Sequence, residues 1–104
     1  MSISLKPTAL QDAIQTKSLV LFHAPWCGHC KSFAPVYEAY TDASGAHVTK
    51  INYDKYADDI KDFKMSDGKT LQDVVKGYPT LVAFDAGRYE KFNGPRSTSG
   101  IAAF

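Results

Sequence analysis

The chain has little charge of either sign to spare. Twelve Lys and Arg stand against 11 Asp and Glu, for a net charge of +1 over 104 residues. Without a basic or acidic excess there is no footprint for nucleic acid or an anionic membrane surface. It also has no apolar run near the roughly 18 residues that a membrane-spanning helix needs. The stretch MSISLKPTALQDAIQTK is too polar for the core of a signal peptide, so with Met1 as the native start the expected location is the cytoplasm. Repeats, low-complexity tracts and linkers are absent, and one domain over residues 1–104 is expected. Cysteine is scarce too: only Cys27 and Cys30. Two cannot build the multi-bridge framework of a small secreted scaffold, and a bridge across two intervening residues would restrain the unfolded chain little. What is present is an ordinary globular composition, 44% hydrophobic and 22% charged, long enough to bury a core without a staple.

Periodicity supplies the elements. Leu10, Ala13 and Ile14 recur at helical spacing after Pro7, predicting a first helix. The run Ser18 to Ala24 predicts a strand buried on both faces, ended by Pro25-Trp26. Phe33, Val36, Tyr37 and Tyr40 then predict a second helix that starts at or just before the cysteines and should bend at Pro35. Residues 46–53 (AHVTKINY) alternate as a strand does. Tyr53, Tyr56, Ile60 and Phe63 follow on one helical face, with Asp54 placed as its cap. Asp58, Asp59, Lys61, Asp62 and Lys64 read as a solvated surface. Ser66-Asp67-Gly68-Lys69 breaks the pattern before Leu71, Val74 and Val75 resume it as a short helix. Beyond Gly77-Tyr78-Pro79, Thr80–Phe84 and Arg88–Phe92 flank a turn as a hairpin, and residues 97–104 hold at most two turns of helix. The fold class is α/β, a mixed central sheet flanked by helices.

The chemistry concentrates at Trp26-Cys27-Gly28-His29-Cys30-Lys31. A thiolate, not a thiol, attacks disulfides, so a working cysteine needs a lowered pKa. Cys27 lies where a strand hands over to a helix, within reach of free N–H groups and the positive end of the helix dipole. Cys30 is one turn further along the same face, close enough to pair with it. Gly28 permits the tight approach, and His29, protonated or hydrogen-bonded, would favour the thiolate of Cys27. Zinc is the competing use of such a pair, but a closed structural site wants four ligands. Only His23, His29 and His47 remain, with no two at ligand spacing. Two chains pooling cysteines around zinc or an iron–sulfur cluster remain a second reading, to be told apart by metal content or visible absorbance. A redox-inert interaction module is a third.

Phe22-x-Ala24-Pro25-Trp26-Cys27-Gly28-His29-Cys30-Lys31, followed by Ala34-Pro35, resembles the active-site segment of the thioredoxin superfamily, in the wording of the catalytic domains of protein disulfide isomerases. Lys76-Gly77-Tyr78-Pro79-Thr80 resembles that family's cis-proline loop, and Phe92-Asn93-Gly94-Pro95-Arg96 the stretch that holds its mobile arginine. The resemblance implies a thioredoxin fold and a thiol–disulfide oxidoreductase needing neither metal nor organic cofactor. Cys27 would be the exposed nucleophile and Cys30 the buried resolving thiol. Pro79 would be cis, with the Tyr78 backbone taking substrate as an added strand beside Trp26. Arg96 would swing towards Cys30 and lower its pKa, although a plain surface charge fits it as well. Trp26 has an alternative as a core aromatic, Pro79 as a turn proline, and His23 reads as a partly buried residue rather than a catalytic one. Partners would be cysteine-bearing proteins or peptides, with glutathione or a reductase to reset the pair, and the protein is expected to act as a monomer. If a leader was removed, the compartment would be the endoplasmic reticulum lumen.

Three departures from the family pattern stand out. Relatives carry a buried Asp or Glu six residues before the first cysteine, where this chain has Leu21, so the usual proton acceptor is missing and water is left to serve. Lys50 matches the lysine that partners that acid, and without the carboxylate its ammonium is expected to snorkel outward. The segment before Pro79 is extended, with Tyr53 to Leu71 carrying the excess, either walling the substrate groove or thickening the core. The terminal elements are short, a strand at Ser2–Leu5 and a helix ending at Phe104, so modest stability is expected.

Overall fold

The computed structural model describes residues 3–44, 48–93, 97, 100 and 101. A strand at Ile3–Ser4 (β1) leads into a helix at Pro7–Gln15 (α1), where Pro7 sits at a first-turn position that needs no N–H partner. Strand β2 spans Ser18–His23 and helix α2 spans Gly28–Ser44, continuing across Pro35. Then follow β3 (Val48–Asn52), α3 (Tyr53–Ile60), α4 (Leu71–Val74), β4 (Thr80–Asp85) and β5 (Arg88–Lys91). The strands form one five-stranded sheet in the order β1-β3-β2-β4-β5. β1, β3 and β2 run parallel, whereas β4 and β5 pair antiparallel on the other side of β2. This is the mixed sheet that the pattern predicts.

Alternation along the central strands sorts the core into two layers. Val20 and Phe22 of β2, Ile51 of β3, and Val82 and Phe84 of β4 meet Leu10, Ile14, Ile60, Leu71 and Val74 from α1, α3 and α4. Leu21 and Leu81 point the other way, to Phe33 and Tyr37 of α2 and to Ile101. Burial of β2 from both sides explains why it reads as an unbroken apolar run. The buried Tyr37 hydroxyl is within hydrogen-bond distance of the Thr49 and Leu19 carbonyls, 2.7 and 3.3 Å away, which ties α2 to two strands at once.

The end of β3 corrects one expectation. The strand stops at Asn52, Tyr53 already belongs to α3, and the Lys55 N–H donates to Asn52 Oδ1 at 3.0 Å. Asn52 is therefore the cap, and Asp54 lies in the first turn. Tyr53 is buried against Phe22, so the helix begins early enough to bring that ring inward.

The extended segment mostly thickens the core. Ile60, Met65, Leu71 and Val74 are buried in the larger layer. Its loop is tied down by the Tyr89 hydroxyl donating to Asp67 Oδ2 at 2.8 Å and by the Ser66 N–H donating to the Gly87 carbonyl at 2.9 Å. The turn into β5 places Ala86 and Gly87 at φ of 52° and 82°, the left-handed pair that matches hairpin twist. Of the carboxyl-terminal helix, Gly100 and Ile101 are described and helical, with Ile101 buried. Residues 98, 99 and 102–104 lie outside the described residues, as do Ala46 and His47.

Candidate active site

Cys27 sits just before α2, its carbonyl accepting the Lys31 N–H at 3.2 Å and its own N–H donating to the Ala24 carbonyl at 3.2 Å. One turn on, the Cys30 N–H donates to Cys27 Sγ at 3.2 Å. A helix start leaves its first amides without intrahelical partners, and here one of them is aimed at sulfur. The two cysteines are not joined as a disulfide in this structure. The expected contrast in exposure is not seen, since each residue is 6% exposed. Ala24 and Tyr78 pack around both. What separates the two is their surroundings: the Cys27 sulfur receives an amide, while Cys30 lines a cavity shared with Leu21, Glu38 and Lys50.

The Tyr78–Pro79 peptide is cis, as the resemblance implies. Trp26 is 65% exposed, which rules out the core-aromatic alternative. Its ring meets Tyr78 edge-on at 5.6 Å between centroids, and Tyr78 in turn lies 6.0 Å from Tyr53. Through Tyr53 the aromatic series reaches Phe22 and then Phe84 in the larger core layer. Burial pushes the Tyr78 phenol above its ordinary range, so it is a neutral hydroxyl at physiological pH. Beside the cis-proline runs an open groove of about 380 Å³, lined by Gly77 to Leu81, Phe33, Lys91, Phe92 and Asn93.

His29 is exposed on the first turn of α2. Gly28 is not required by sterics: its φ is not left-handed and an added Cβ would meet nothing within 4 Å. The tight approach comes from the Pro25-Trp26 turn, and the glycine leaves the helix start uncovered. Arg96 lies outside the described residues. No cluster of three or more His, Cys, Asp or Glu arranged to hold a metal occurs among the described residues.

The position of the missing acid has charged neighbours. Leu21 is buried in β2 and pairs in register with Lys50. Lys50 does not simply turn to solvent, because its Nζ stands 3.6 Å from Glu38 Oε1 of α2, with both side chains about a third exposed. Glu38 and Lys50 line a cavity of about 150 Å³ with Leu21, His23, Cys30, Ala34 and Tyr37. Burial, and secondarily Lys50, hold the His23 imidazole below the usual histidine range. Glu38 escapes a reading of local motifs, because its only signal is the spacing Cys30, Ala34, Glu38 along one helix face.

The fold and the sequence have known relatives. The thioredoxin family model matches residues 2–104, and the chain belongs to that family. Its curated relatives are protein disulfide isomerases. The chain is 37% identical over 105 residues to a probable protein disulfide-isomerase A4 of Caenorhabditis elegans, covering 98% of this chain and 16% of that protein. It is 40% identical over 93 residues to a probable protein disulfide-isomerase ER-60 of Schistosoma mansoni, covering 84% and 17%. Among solved structures it superposes on the Trx4 domain of ERdj5 with a TM-score of 0.74 at 26% identity, covering 98% of this chain and 90% of that one. The J-Trx1 fragment of ERdj5 gives a TM-score of 0.79 at 23% identity, covering 98% and 47%, which is a likeness of fold. The chain spans 16% of the length of the A4 relatives from worm and mouse.

Proposed function

We propose that this domain is a thiol–disulfide oxidoreductase that exchanges electrons between its Cys27–Cys30 pair and cysteines of protein or peptide substrates. One observation carries the reading: the Cys30 amide aimed at Cys27 Sγ at 3.2 Å, at the start of a 17-residue helix. Negative charge on that sulfur is stabilised by the amide and by the dipole, which favours the thiolate. The Cys27 thiolate attacks a substrate disulfide, forming a mixed disulfide and releasing one substrate thiolate. Cys30 then loses its proton and attacks Cys27 Sγ, closing the Cys27–Cys30 disulfide and releasing the second substrate sulfur. Both electrons stay on sulfur, so the cycle calls for no cofactor. The substrate backbone lies along Tyr78 as an added strand, with its side chains over Trp26 and Pro79. His29 favours the reduced form electrostatically, and Arg96 approaches Cys30 during resolution. The domain works as a monomer, reset by glutathione or a reductase. The disulfide-isomerase relatives favour an oxidising compartment, the endoplasmic reticulum lumen, where such chemistry operates.

Equilibration with glutathione buffers tests this. The expected potential is nearer the roughly −180 mV of disulfide isomerase than the roughly −270 mV of thioredoxin. A value below thioredoxin's would sink the isomerase-like reading. Cys30→Ala should trap a mixed disulfide with a cysteine peptide, detected by mass spectrometry, and Cys27→Ala should trap none.

A further inference from the structure

The exchange cycle needs Cys30 to lose a proton in a site where the residue is 6% exposed and the neighbouring strand position is Leu21. Resting on the reading above, we infer that Glu38 is the proton acceptor for Cys30, reached through water in the cavity that the two residues share. Cys30, Ala34 and Glu38 stand at i, i+4 and i+8 of α2 and line that cavity together. Their ends of the stripe lie about 12 Å apart along the axis at about 1.5 Å per residue. Helical side chains lean towards the amino terminus, so the Glu38 carboxylate reaches back over Ala34, whose methyl leaves the space open. A water needs roughly 15 Å³ of such space, and the cavity offers about 150 Å³, room for a short chain of waters.

The other groups on the cavity are poorer acceptors. Lys31 and Lys50 carry no lone pair when protonated. The Tyr37 hydroxyl is committed to the Thr49 carbonyl at 2.7 Å. His23 has a free pair in its neutral form, but protonating it would put a second cation beside Lys50 while Glu38 and the thiolate both stay charged. Protonating Glu38 instead moves one negative charge from carboxylate to sulfur and leaves Lys50 as counterion to the product. The number of charges beside the sulfur is then unchanged, so no additional unpaired charge has to be held there.

The step balances. The Cys30 S–H bond breaks and its proton passes along the waters to a Glu38 oxygen. The sulfur's electron pair forms the bond to Cys27 Sγ, and the bond from Cys27 Sγ to the substrate sulfur breaks. That substrate sulfur leaves as a thiolate, is reduced, and is protonated by solvent. Glu38 returns its proton to bulk water through its exposed side.

Glu38→Gln keeps size and hydrogen bonding but removes the base. The measurement is single-turnover resolution of a preformed mixed disulfide between Cys27 and a cysteine peptide, with acid quench and mass analysis. In Glu38→Gln, resolution at pH 7 should slow by at least about tenfold, on the low side for a positioned base because cavity water still accepts. Its rate should climb about tenfold per pH unit towards the thiol's own range, while the native protein's profile is flatter, since its rate does not wait on hydroxide or water alone to take the proton. Formation of the mixed disulfide should be unaffected. Glu38→Asp should restore part of the rate, and Leu21→Glu in the Glu38→Gln background should restore it from the strand side. An unchanged rate and pH slope in a folded Glu38→Gln protein overturns the inference. So does a loss that appears in His23→Phe and not in Glu38→Gln. Failure of the native protein to form any mixed disulfide at Cys27 would instead defeat the oxidoreductase reading on which it rests.

Discussion

The two faces of β2 do different work. On one, Val20 and Phe22 enter a large layer sealed by α1, α3, α4 and the extended segment. On the other, Leu21 meets a small layer under α2, and His23 beside it opens onto a cavity with charged walls. Adjacent residues of one strand thus face a sealed apolar core and a half-open cavity with charged walls. Among the described residues the large layer holds 13 buried residues and the small one five, so the larger share of apolar burial lies away from the cavity. The extra segment before Pro79 belongs with the larger layer: its buried side chains add to it, and one of them, Tyr53, also touches Tyr78.

The largest effect that tests this division is Phe22→Ala. It should cost about 3–5 kcal/mol of stability by denaturant titration, the usual cost of removing a buried phenylalanine. Cys27 alkylation in the still-folded fraction should be little changed. A large change in that reactivity would show that the two faces are coupled. Leu21→Glu comes next. It buries a carboxyl beside Lys50 and should cost about 1–3 kcal/mol while supplying a second proton acceptor. Faster resolution in a less stable protein is the expected pair of results, and a gain in stability would mean that Lys50 abandons Glu38 for the new acid. Asn52→Ala should cost about 1 kcal/mol, and Asp54→Ala distinctly less, because only Asn52 accepts the capping bond from Lys55. Equal losses from the two would return the cap to Asp54.

The smallest effect is a pH dependence. The folded pKa of His23 lies below the unfolded value of 6.5. As pH falls through that value, the unfolded chain takes up a proton that the folded chain resists, so His23 withdraws stability on the acid side and none above it. The groups it faces are Lys50 on β3 and Cys30, Lys31, Tyr37 and Glu38 on α2. Thermal melts between pH 7 and 5 should fall more steeply for the native protein than for His23→Phe. Parallel curves would mean that Glu38 compensates the imidazolium.

The same contrast governs how much can be read before folding. The cysteine pair, Pro79 and the absent acid at Leu21 are local patterns, because sulfur chemistry at a helix start demands fixed residue types at fixed spacing. Two-sided burial shows in β2 as an unbroken apolar run. Glu38 is different: it lies eight residues after Cys30 and 12 before Lys50, and only the docking of α2 on β3 brings the three to one cavity. The shared burial of the cysteines was equally hidden, since it depends on Tyr78, far along the chain. The cap at Asn52 escaped for a third reason. Two residues with capping side chains stand two apart, and the burial of Tyr53 between them decides which one is used.

The exposed indole of Trp26 has an optical consequence. It is the sole tryptophan in the chain and is 65% exposed when folded. Denaturation therefore changes its solvation little, and its emission would trace unfolding poorly. Its neighbours, however, are Cys27 in sequence and Tyr78 across 5.6 Å. A peptide laid across Trp26 and Tyr78 would dry that ring and shift its emission to the blue, and closing the disulfide beside it would dim it. The domain thus carries a single built-in chromophore that is nearly silent about whether the chain is folded and responsive to what occupies it and in which redox form.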